Sequence, residues 1–581
     1  MRYECDFRFG YVILLVSAGL LVSSGSAEAQ LVRAEGFFKR YCLDCHQGAE
    51  AEASLDLKAL PVELADPKNF ARWEQLYDRV AQGEMPPKDA PQPASPERQS
   101  FLDELSGKLT AQHQSVKGTV LRRLNRREYE NTLNDLFGTQ ERLASLLPED
   151  GRTHEFDNVG AGLGISMVHL ETYIKAMDQV LNAAIVSTID RPAVQKIEAS
   201  FKGSSESERF VGSVWKELSD GSIVRFEGGG YPSGMMRGSN IRDRGRYRVT
   251  VRGYAYRSPA AISFSVEGTS FARGSEKPVY GFFSFEPGTP EQAPQEITFE
   301  AFIETNYMLA IEPYGISDPE RYKRKTVDEY EGPGLAIHSV TLEGPLIEEY
   351  PTRGHQLLFS QLQREEIMPR NPRDRERPYY RPQFNVTAQN LDQDVNAVLT
   401  EVATKAFRRP VRAEEVQPYR KLFDAEYQKE NNLEQSLRTA VIALFCSPDF
   451  LYLQEPAGPL DDFAVASRLS YFLNRTAPDA ELLKVAADGK LKNPQELQLQ
   501  TLRLLKHPHF SRFITDYCEN WLNLREMDFT NPDNSLFPEF DSYLRYSMPL
   551  ETEAFLRELI EGNHGIRNLV ASDFAMLNSR L

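Results

Sequence analysis

Residues 41–46 read Tyr41-Cys42-Leu43-Asp44-Cys45-His46, and this stretch decides how the N-terminal part of the chain folds. Two cysteines separated by two residues, with a histidine directly after the second, are the attachment signature of a c-type haem. Each thiol can add to one vinyl group of the porphyrin, and His46, held by the same turn, can ligate the iron on its proximal side. The motif therefore predicts one covalently bound haem c.

The same cysteines could instead form half of a zinc site or a redox-active dithiol. A zinc site requires a second Cys/His pair at short spacing, but the remaining downstream cysteines, Cys446 and Cys518, are isolated. A thioredoxin-like dithiol follows a strand, whereas residues 31–41 have helical apolar spacing. Haem attachment is therefore the preferred interpretation. An oxidising compartment would allow Cys446 and Cys518 to pair, and two separate free thiols are an equal alternative.

A second candidate ligand lies in the stretch Gly83-Glu84-Met85-Pro86-Pro87, which follows a predicted helix over residues 70–80. The thioether of Met85, in a loop stiffened by prolines, is suited to the sixth iron position. A His/Met pair fills both axial sites, which favours electron transfer over oxygen chemistry. Met85 could also simply pack on the core. His113, on a helix predicted over residues 96–116, is the second choice, although a surface role suits it better.

The N-terminus predicts export. Arg2 and Arg8 precede an apolar run over residues 11–22, and small residues end in Ala27-Glu28-Ala29. This pattern is typical of a secretory signal peptide over residues 1–29. No later run is long enough for a transmembrane anchor, so we expect a soluble periplasmic or extracellular protein. A formal net charge of −17 argues against nucleic acid as a partner.

Length and periodicity predict a multidomain chain, mainly α, with an inserted β domain. The 581 residues exceed one core. Period-two alternation between residues 194 and 348 favours a β-sandwich or jelly roll, and helical spacing prevails elsewhere. The predicted domains are a c-type cytochrome domain (30–118), a helical module (119–193), the β domain (194–348), a linker (349–392) and two further helical modules (393–455 and 456–581). The pattern of the last module does not read as a completed domain at Leu581, so we expect a C-terminal truncation.

Two groups of side chains are candidates for binding. The helix predicted around Asn125, with a capping-box pair to Glu128 and a closing glycine, starts beside four arginines. They could bind an anion or a haem propionate, and a salt-bridged solvated face is the more common outcome. Exposed aromatics of the β domain could stack on sugars, or else form cross-strand pairs. The arginines are Arg122, Arg123, Arg126 and Arg127, and the aromatics are Tyr254, Tyr256 and Tyr280.

At these and several other stretches the chain resembles large secreted proteins in which a planctomycete-type cytochrome c domain precedes an array of helical domains of unknown function. The matching stretches are YCLDCH (41–46), GEMPP (83–87), LRRLNRREYENTLNDLFG (121–138), AFRRPV (406–411), CSPDFLY (446–452), ASRLSYFLNRTAPDAEL (466–482) and FPEFD (537–541). The resemblance implies that Cys42, Cys45 and His46 bind haem, with Met85 as a further ligand. The chain departs from the family at Asn474, where an aromatic is usual, and family members continue beyond residue 581.

Haem binding and electron transfer through His46 and Met85 is the function that the sequence favours, with an unidentified redox partner. The alternative is a haem-linked oxidoreductase or binding scaffold that acts on extracellular polysaccharide through the β domain. No Gly-x-Ser-x-Gly, Walker-type or His-Glu-x-x-His motif occurs in the sequence. Enzymatic activity beyond electron transfer therefore has no support from motifs, and no catalytic residue is predicted.

Overall fold

The computed structural model describes residues 32–581 except 49, 117–119, 189, 229–232, 317–326, 328, 378, 379, 381, 456, 457, 530, 531 and 534. The predicted signal peptide, residues 1–29, lies outside the described residues. The chain divides into two compact units, which we call the smaller unit (residues 1–120 and 455–460) and the larger unit (residues 121–454 and 461–581). Every helix among the described residues is too short or too polar to span a bilayer.

The smaller unit is helical. Its helices are Val32–Tyr41, Pro67–Ala81 and Ser95–Val116, with a short 3-10 turn at Glu52–Ser54. Asp66 starts the second helix, because its carboxylate accepts a hydrogen bond from the Lys68 amide at 2.8 Å. Phe37 of the first helix stacks on Phe101 of the third with ring centroids 4.3 Å apart. The apolar faces of the helices thus share one core.

The larger unit contains most of the remaining helices. Residues at helical spacing bury one face of each helix in two apolar clusters, one built around residues 124–185 with 357–471 and one within residues 466–518. The main helices are Arg126–Phe137, Met167–Ala184, Arg353–Phe359, Leu391–Phe407, Ala413–Glu430, Leu433–Phe445, Asp462–Leu473, Ala480–Ala487, Pro494–Leu505, Ser511–Trp521 and Ser542–Glu561, with shorter ones at Ser205–Phe210 and Pro448–Leu451.

The helix Arg126–Phe137 confirms the local sequence signals at both ends. Asn125 accepts a hydrogen bond from the Glu128 amide at 2.8 Å, and the Glu128 carboxylate accepts one from the Asn125 amide at 3.2 Å. This is the predicted capping box. Gly138 ends the helix in the left-handed conformation, with φ of 67°.

Two sheets of the larger unit, antiparallel except for the short parallel strand Pro287–Gly288, face each other across a shared hydrophobic core. The strand Gly245–Tyr256 alternates, so that Tyr247, Val249 and Val251 point into this core. It pairs with Gln295–Ile303 and with Gly334–Gly344. The first sheet contains Gln195–Ala199, Lys216–Glu217, Ile223–Arg225, Gly245–Tyr256, Pro287–Gly288, Gln295–Ile303 and Gly334–Gly344, and the second contains Met235–Met236, Ile262–Thr269, Val279–Phe285 and Met308–Pro313. A jelly-roll topology stays a prediction.

Two features of the predicted fold need correction. The chain is mixed α and β rather than mainly α, because long sheets and helices both contribute to it. The segment 349–392, predicted to be a linker, contains the helix Arg353–Phe359 and a hairpin of Gln363–Ile367 with Gln383–Thr387. Leu357 and Leu358 anchor this segment in the helical core. The many charges and prolines between residues 369 and 382 hid these elements. A further two-stranded ladder joins Val120–Arg123 to Tyr452–Glu455.

Candidate haem-binding site

Cys42, Cys45 and His46 project from one turn that continues the helix Val32–Tyr41. The Cys42 amide donates to the Phe38 carbonyl at 2.8 Å, and the amides of Cys45 and His46 both approach the Cys42 carbonyl, at 3.3 and 3.0 Å. Because these bonds wind the backbone tightly, the two thiols and the imidazole arise from a single short segment. The turn therefore holds all three side chains together, as the motif predicts they must be for haem attachment.

The two thiols differ in their surroundings. Cys42 is half-buried against the core of the smaller unit, whereas Cys45 is exposed. Burial raises the pKa of the Cys42 thiol to about 11, so this group is protonated at neutral pH. Both cysteines are free. They are thus available for covalent attachment to a porphyrin.

The ring of His46 is oriented by the backbone. Its Nδ1 atom lies 3.1 Å from the carbonyl oxygen of Glu52, at the start of the 3-10 turn Glu52–Ser54. A carbonyl can only accept, so Nδ1 carries the proton and donates, and Nε2 keeps its lone pair. Histidine ligands of metals are commonly fixed in this way by their second nitrogen. Sequence reasoning missed this contact, because Glu52 takes part through its backbone.

Met85 lies in a loop that leaves the helix Pro67–Ala81. Gly83 turns the chain with φ of 71°, and the amides of Glu84 and Met85 both donate to the Arg79 carbonyl, at 2.9 and 3.1 Å. The side chain of Met85 is 37% exposed. An apolar side chain left open to water at such a loop is available to bind a ligand, and the role of Met85 stays a prediction.

These residues fit a c-type haem by the chemistry of their donor set. They provide two free thiols, an imidazole whose Nε2 atom keeps its lone pair, and a thioether. These are the attachment groups and the iron ligands that such a haem requires. His113, the second candidate for the sixth ligand, is exposed on the helix Ser95–Val116, and its ring centroid lies 6.4 Å from that of Phe70. Ligation by either residue stays a prediction.

The smaller unit also has an apolar cavity beside its core. Its walls come from the loop before the second helix and from the facing sides of the second and third helices. Glu104 and Lys108 stand at its edge. The lining residues include Val62, Leu64, Trp73, Phe101 and Leu105.

The four arginines near the helix Arg126–Phe137 are all paired with carboxylates. Arg123 is almost fully buried and contacts Asp150 at 2.6 Å. The others pair as Arg122 with Glu128, Arg126 with Glu149, and Arg127 with both Asp516 and Glu519. The salt-bridged interpretation is confirmed, but Arg123 is buried instead of solvated. None of the four offers an unpaired guanidinium to a propionate.

One of these pairs, Arg127 with Asp516, belongs to a buried ion-pair cluster, which we define as Arg127, Glu128, Arg475, Asp516 and Arg525. Arg475 lies 3.1 Å from Glu128 and 2.6 Å from Asp516. Burial alone would raise the pKa of Asp516, but Arg475 and Arg127 hold it below its usual value. Sequence reasoning missed this cluster, because Arg127 and its partner Asp516 are 389 positions apart.

The tyrosines proposed as sugar-stacking platforms are not exposed. Tyr254 is 1% and Tyr256 8% exposed, and Tyr280 is half-buried against the sandwich core. The Tyr254 hydroxyl donates to Asp220 at 2.9 Å. The prediction of exposed aromatics is therefore wrong, because Tyr254 and Tyr256 are covered on the other face of their strand by a second apolar cluster that includes Phe226 and Tyr330. The polysaccharide alternative loses the residues that motivated it.

Cys446 and Cys518 are free thiols in different parts of the larger unit. Cys446 packs against the first helical cluster, and Cys518 is buried in the second. Burial raises the pKa of Cys446 to about 11 and that of Cys518 to about 12. Protonated buried thiols are inert, which fits a packing role for both.

Family comparisons match four parts of the chain. Residues 42–89 match the planctomycete cytochrome C model, and this stretch includes Cys42, Cys45, His46 and Met85. Three models of proteins of unknown function match residues 122–186 (PSD3, DUF1587), 394–455 (PSD5, DUF1595) and 460–581 (PSD4, DUF1592).

Comparisons with individual proteins add little. No curated protein matches the chain. Among solved structures, a TNF protein, Eiger from S. frugiperda, matches with 12% identity over 28% of this chain and 98% of that chain, at a TM-score of 0.15. So low a TM-score supports no conclusion about the fold. The four family matches, in their order along the sequence, show that the chain has the multidomain architecture typical of planctomycete proteins in which a cytochrome c domain precedes domains of unknown function.

Proposed function

We propose that this chain is an exported electron-transfer protein that carries one haem c. Cys42 and Cys45 form thioether bonds to the porphyrin, His46 is the proximal ligand, and Met85 is the distal ligand. The match of residues 42–89 to a cytochrome c model supports haem binding. The predicted signal peptide supports export. Covalent haem attachment agrees with export, since most cells that use it carry it out outside the cytoplasm.

The observation that carries the proposal is the hydrogen bond between His46 Nδ1 and the Glu52 carbonyl, at 3.1 Å. It fixes the tautomer that leaves Nε2 as a ligand. It also holds the imidazole on the turn that bears both thiols. A redox-active dithiol does not require a histidine oriented in this way.

When bound, a haem with histidine and methionine ligands supplies a one-electron redox centre at raised potential. This chain's residues then do two things. Cys42 and Cys45 would prevent loss of the group outside the cell, and His46 and Met85 would hold its iron. Two protein ligands would leave little access for oxygen, which would favour electron transfer over oxygen chemistry.

The first test is covalent attachment. The full chain is expressed with a haem-attachment system, denatured and extracted with acidified organic solvent. We expect the haem to stay with the polypeptide, and a Cys42→Ala, Cys45→Ala double variant to release it. Haem that is extracted from the wild type, or a wild type without haem, contradicts the proposal.

The second test identifies the sixth ligand from absorption spectra. We expect Met85→Ala to lose the low-spin spectrum of the wild type. Met167→Ala is the matched control, because Met167 is 70% exposed and lies in the larger unit, and its spectrum should not change. A Met85→Ala variant with an unchanged spectrum rejects methionine, and loss of the low-spin spectrum in His113→Ala would assign the position to His113.

A further inference from the structure

The loop that carries Met85 is tied down at both of its ends. At its start, the Arg79 carbonyl accepts the amides of Glu84 and Met85, and the Arg79 guanidinium pairs with the Glu84 carboxylate. These contacts fix the loop to the end of the helix Pro67–Ala81. They do not fix the residues after Met85.

The residues after Met85 are held by the side chain of Gln92, in addition to a backbone hydrogen bond from the Ala90 amide to the Pro87 carbonyl at 3.0 Å. Its Nε2 group donates to the carbonyl of Pro87 at 2.7 Å and reaches the carbonyls of Pro86 and Ala90 at 3.2 Å each. An amide nitrogen has two hydrogens, so two of these bonds form at once and the third is shared. The acceptors include both residues that directly follow Met85.

The prolines explain why a side chain is needed here. Pro86 and Pro87 have no amide hydrogen, so neither can donate a backbone hydrogen bond. The Ala90 amide closes a turn on the Pro87 carbonyl, but among the described residues no such backbone bond reaches the Pro86 carbonyl. Pro86 is buried, which makes an unpaired carbonyl at this point unfavourable. Gln92 supplies the donors that the prolines lack.

Gln92 is itself connected to the third helix of the smaller unit. Arg98 Nη2 donates to the Gln92 Oε1 atom at 3.4 Å, and Arg98 lies in the helix Ser95–Val116. Two further residues of this helix, Phe101 and Leu105, are buried in the core of the smaller unit. The Met85 loop is therefore linked through Gln92 and Arg98 to a rigid element.

We propose that Gln92 is a positioning residue for the sixth haem ligand: its amide holds the Pro86 and Pro87 carbonyls so that the Met85 thioether stays on the iron. This inference rests on the proposed function. Gln92 does not contact the metal. Its effect is to raise the free energy of the state in which Met85 has left the iron and the loop has opened.

The test measures how easily Met85 is displaced. Imidazole binds a ferric haem by replacing a weak sixth ligand, so its apparent affinity reports the stability of the methionine-bound state. The isosteric variant Gln92→Glu keeps the contact with Arg98 and removes both donors. We expect imidazole to bind it about three- to tenfold more tightly than the wild type, the change that loss of one average hydrogen bond produces.

Two further variants separate positioning from general structural damage. In a Met85→Ala background imidazole no longer competes with methionine, so Gln92→Glu should leave its affinity unchanged. Gln99→Ala is the matched control, because Gln99 is exposed and its amide donates only to Asp103, at 2.8 Å, on the same helix. This variant should bind imidazole as the wild type does.

Each result has one interpretation. Equal imidazole affinity in wild type and Gln92→Glu, with methionine ligation intact, overturns the role of Gln92 and leaves the proposed function standing. An effect of the same size in the Met85→Ala background also overturns it. A wild type without covalent haem, or with a sixth ligand other than Met85, refutes the proposed function itself.

Discussion

Glu128 is the residue whose replacement most directly tests how the larger unit is held together. Its side chain is fully buried, lies 2.8 Å from Arg122 and 3.1 Å from Arg475, and caps its own helix through the Asn125 amide at 3.2 Å. Glu128→Gln keeps the shape and an acceptor for Asn125. It removes the negative charge between two guanidinium groups.

The magnitude follows from what remains after the change. Breaking a buried ion pair by neutralising one partner costs about 3–5 kcal/mol. Arg475 keeps a carboxylate, since Asp516 lies 2.6 Å from it, and Arg122 is 19% exposed and can be hydrated. We therefore expect the lower end of the range, a loss of about 3 kcal/mol.

Native-state hydrogen exchange is the suitable assay, because a multidomain chain does not unfold in one step. Amides of the helices Arg126–Phe137 and Ser511–Trp521 should exchange about a hundredfold faster in Glu128→Gln. The control is Glu401→Gln. Glu401 pairs with Lys405 at 3.2 Å on the surface, with both side chains more than two-fifths exposed, and such pairs contribute at most about 1 kcal/mol.

A double-mutant cycle with Arg475→Met tests the pairing itself. Removing both charges leaves fewer unpaired groups than removing one, so the double variant should be more stable than the sum of the two single effects implies, by at least about 1 kcal/mol. If Glu128→Gln exchanges no faster than Glu401→Gln, the buried ion-pair cluster does not stabilise the contact between these helices and our reasoning is wrong.

Two other predictions concern the helix Arg353–Phe359. A Cβ added at buried Gly354 would stand 2.5 Å from the Phe137 ring, so Gly354→Ala should destabilise the larger unit by about 1–3 kcal/mol. The control is Gly164→Ala, whose added Cβ meets nothing within 4 Å. Equal thermal midpoints for these two variants would contradict the packing. Burial, aided by Arg364, lowers the pKa of His355 from 6.5 to about 4, so the unfolded chain binds a proton that the folded chain does not. Stability should therefore fall as pH drops from about 6.5 towards 4. The urea midpoints measured at these two pH values should differ less in His355→Gln than in the wild type. If the difference is the same in both proteins, His355 is not its cause.

Features that depend on neighbours in the sequence could be predicted. The capping box of Asn125 and Glu128 and the left-handed Gly138 were predictable because each is decided within about one helical turn. The strand Gly245–Tyr256 was predictable because its alternation is continuous. The Cys42–His46 turn could be predicted from residues 41–46 alone, because it too depends only on neighbours in the sequence.

Contacts between distant residues could not be predicted. A lone Arg475 or Asp516 looks like any surface charge until the fold buries it. Gln92 and the Glu52 carbonyl act through hydrogen bonds that leave no pattern in the sequence. The direction in which Tyr254 points depends on strand register, and period two alone does not say which face of a sheet is covered.

The buried ion-pair cluster also bears on the order in which the protein can fold. Arg127 and Asp516 are 389 positions apart, so Arg127 emerges during synthesis long before this partner exists. Until then its charge must stay hydrated, and the helix Arg126–Phe137 cannot reach its final packing. Contacts of such long sequence separation form slowly. The packing of the helix Arg126–Phe137 is therefore completed only after the helix Ser511–Trp521 has been made. Between these two events the chain is most vulnerable to proteases and aggregation.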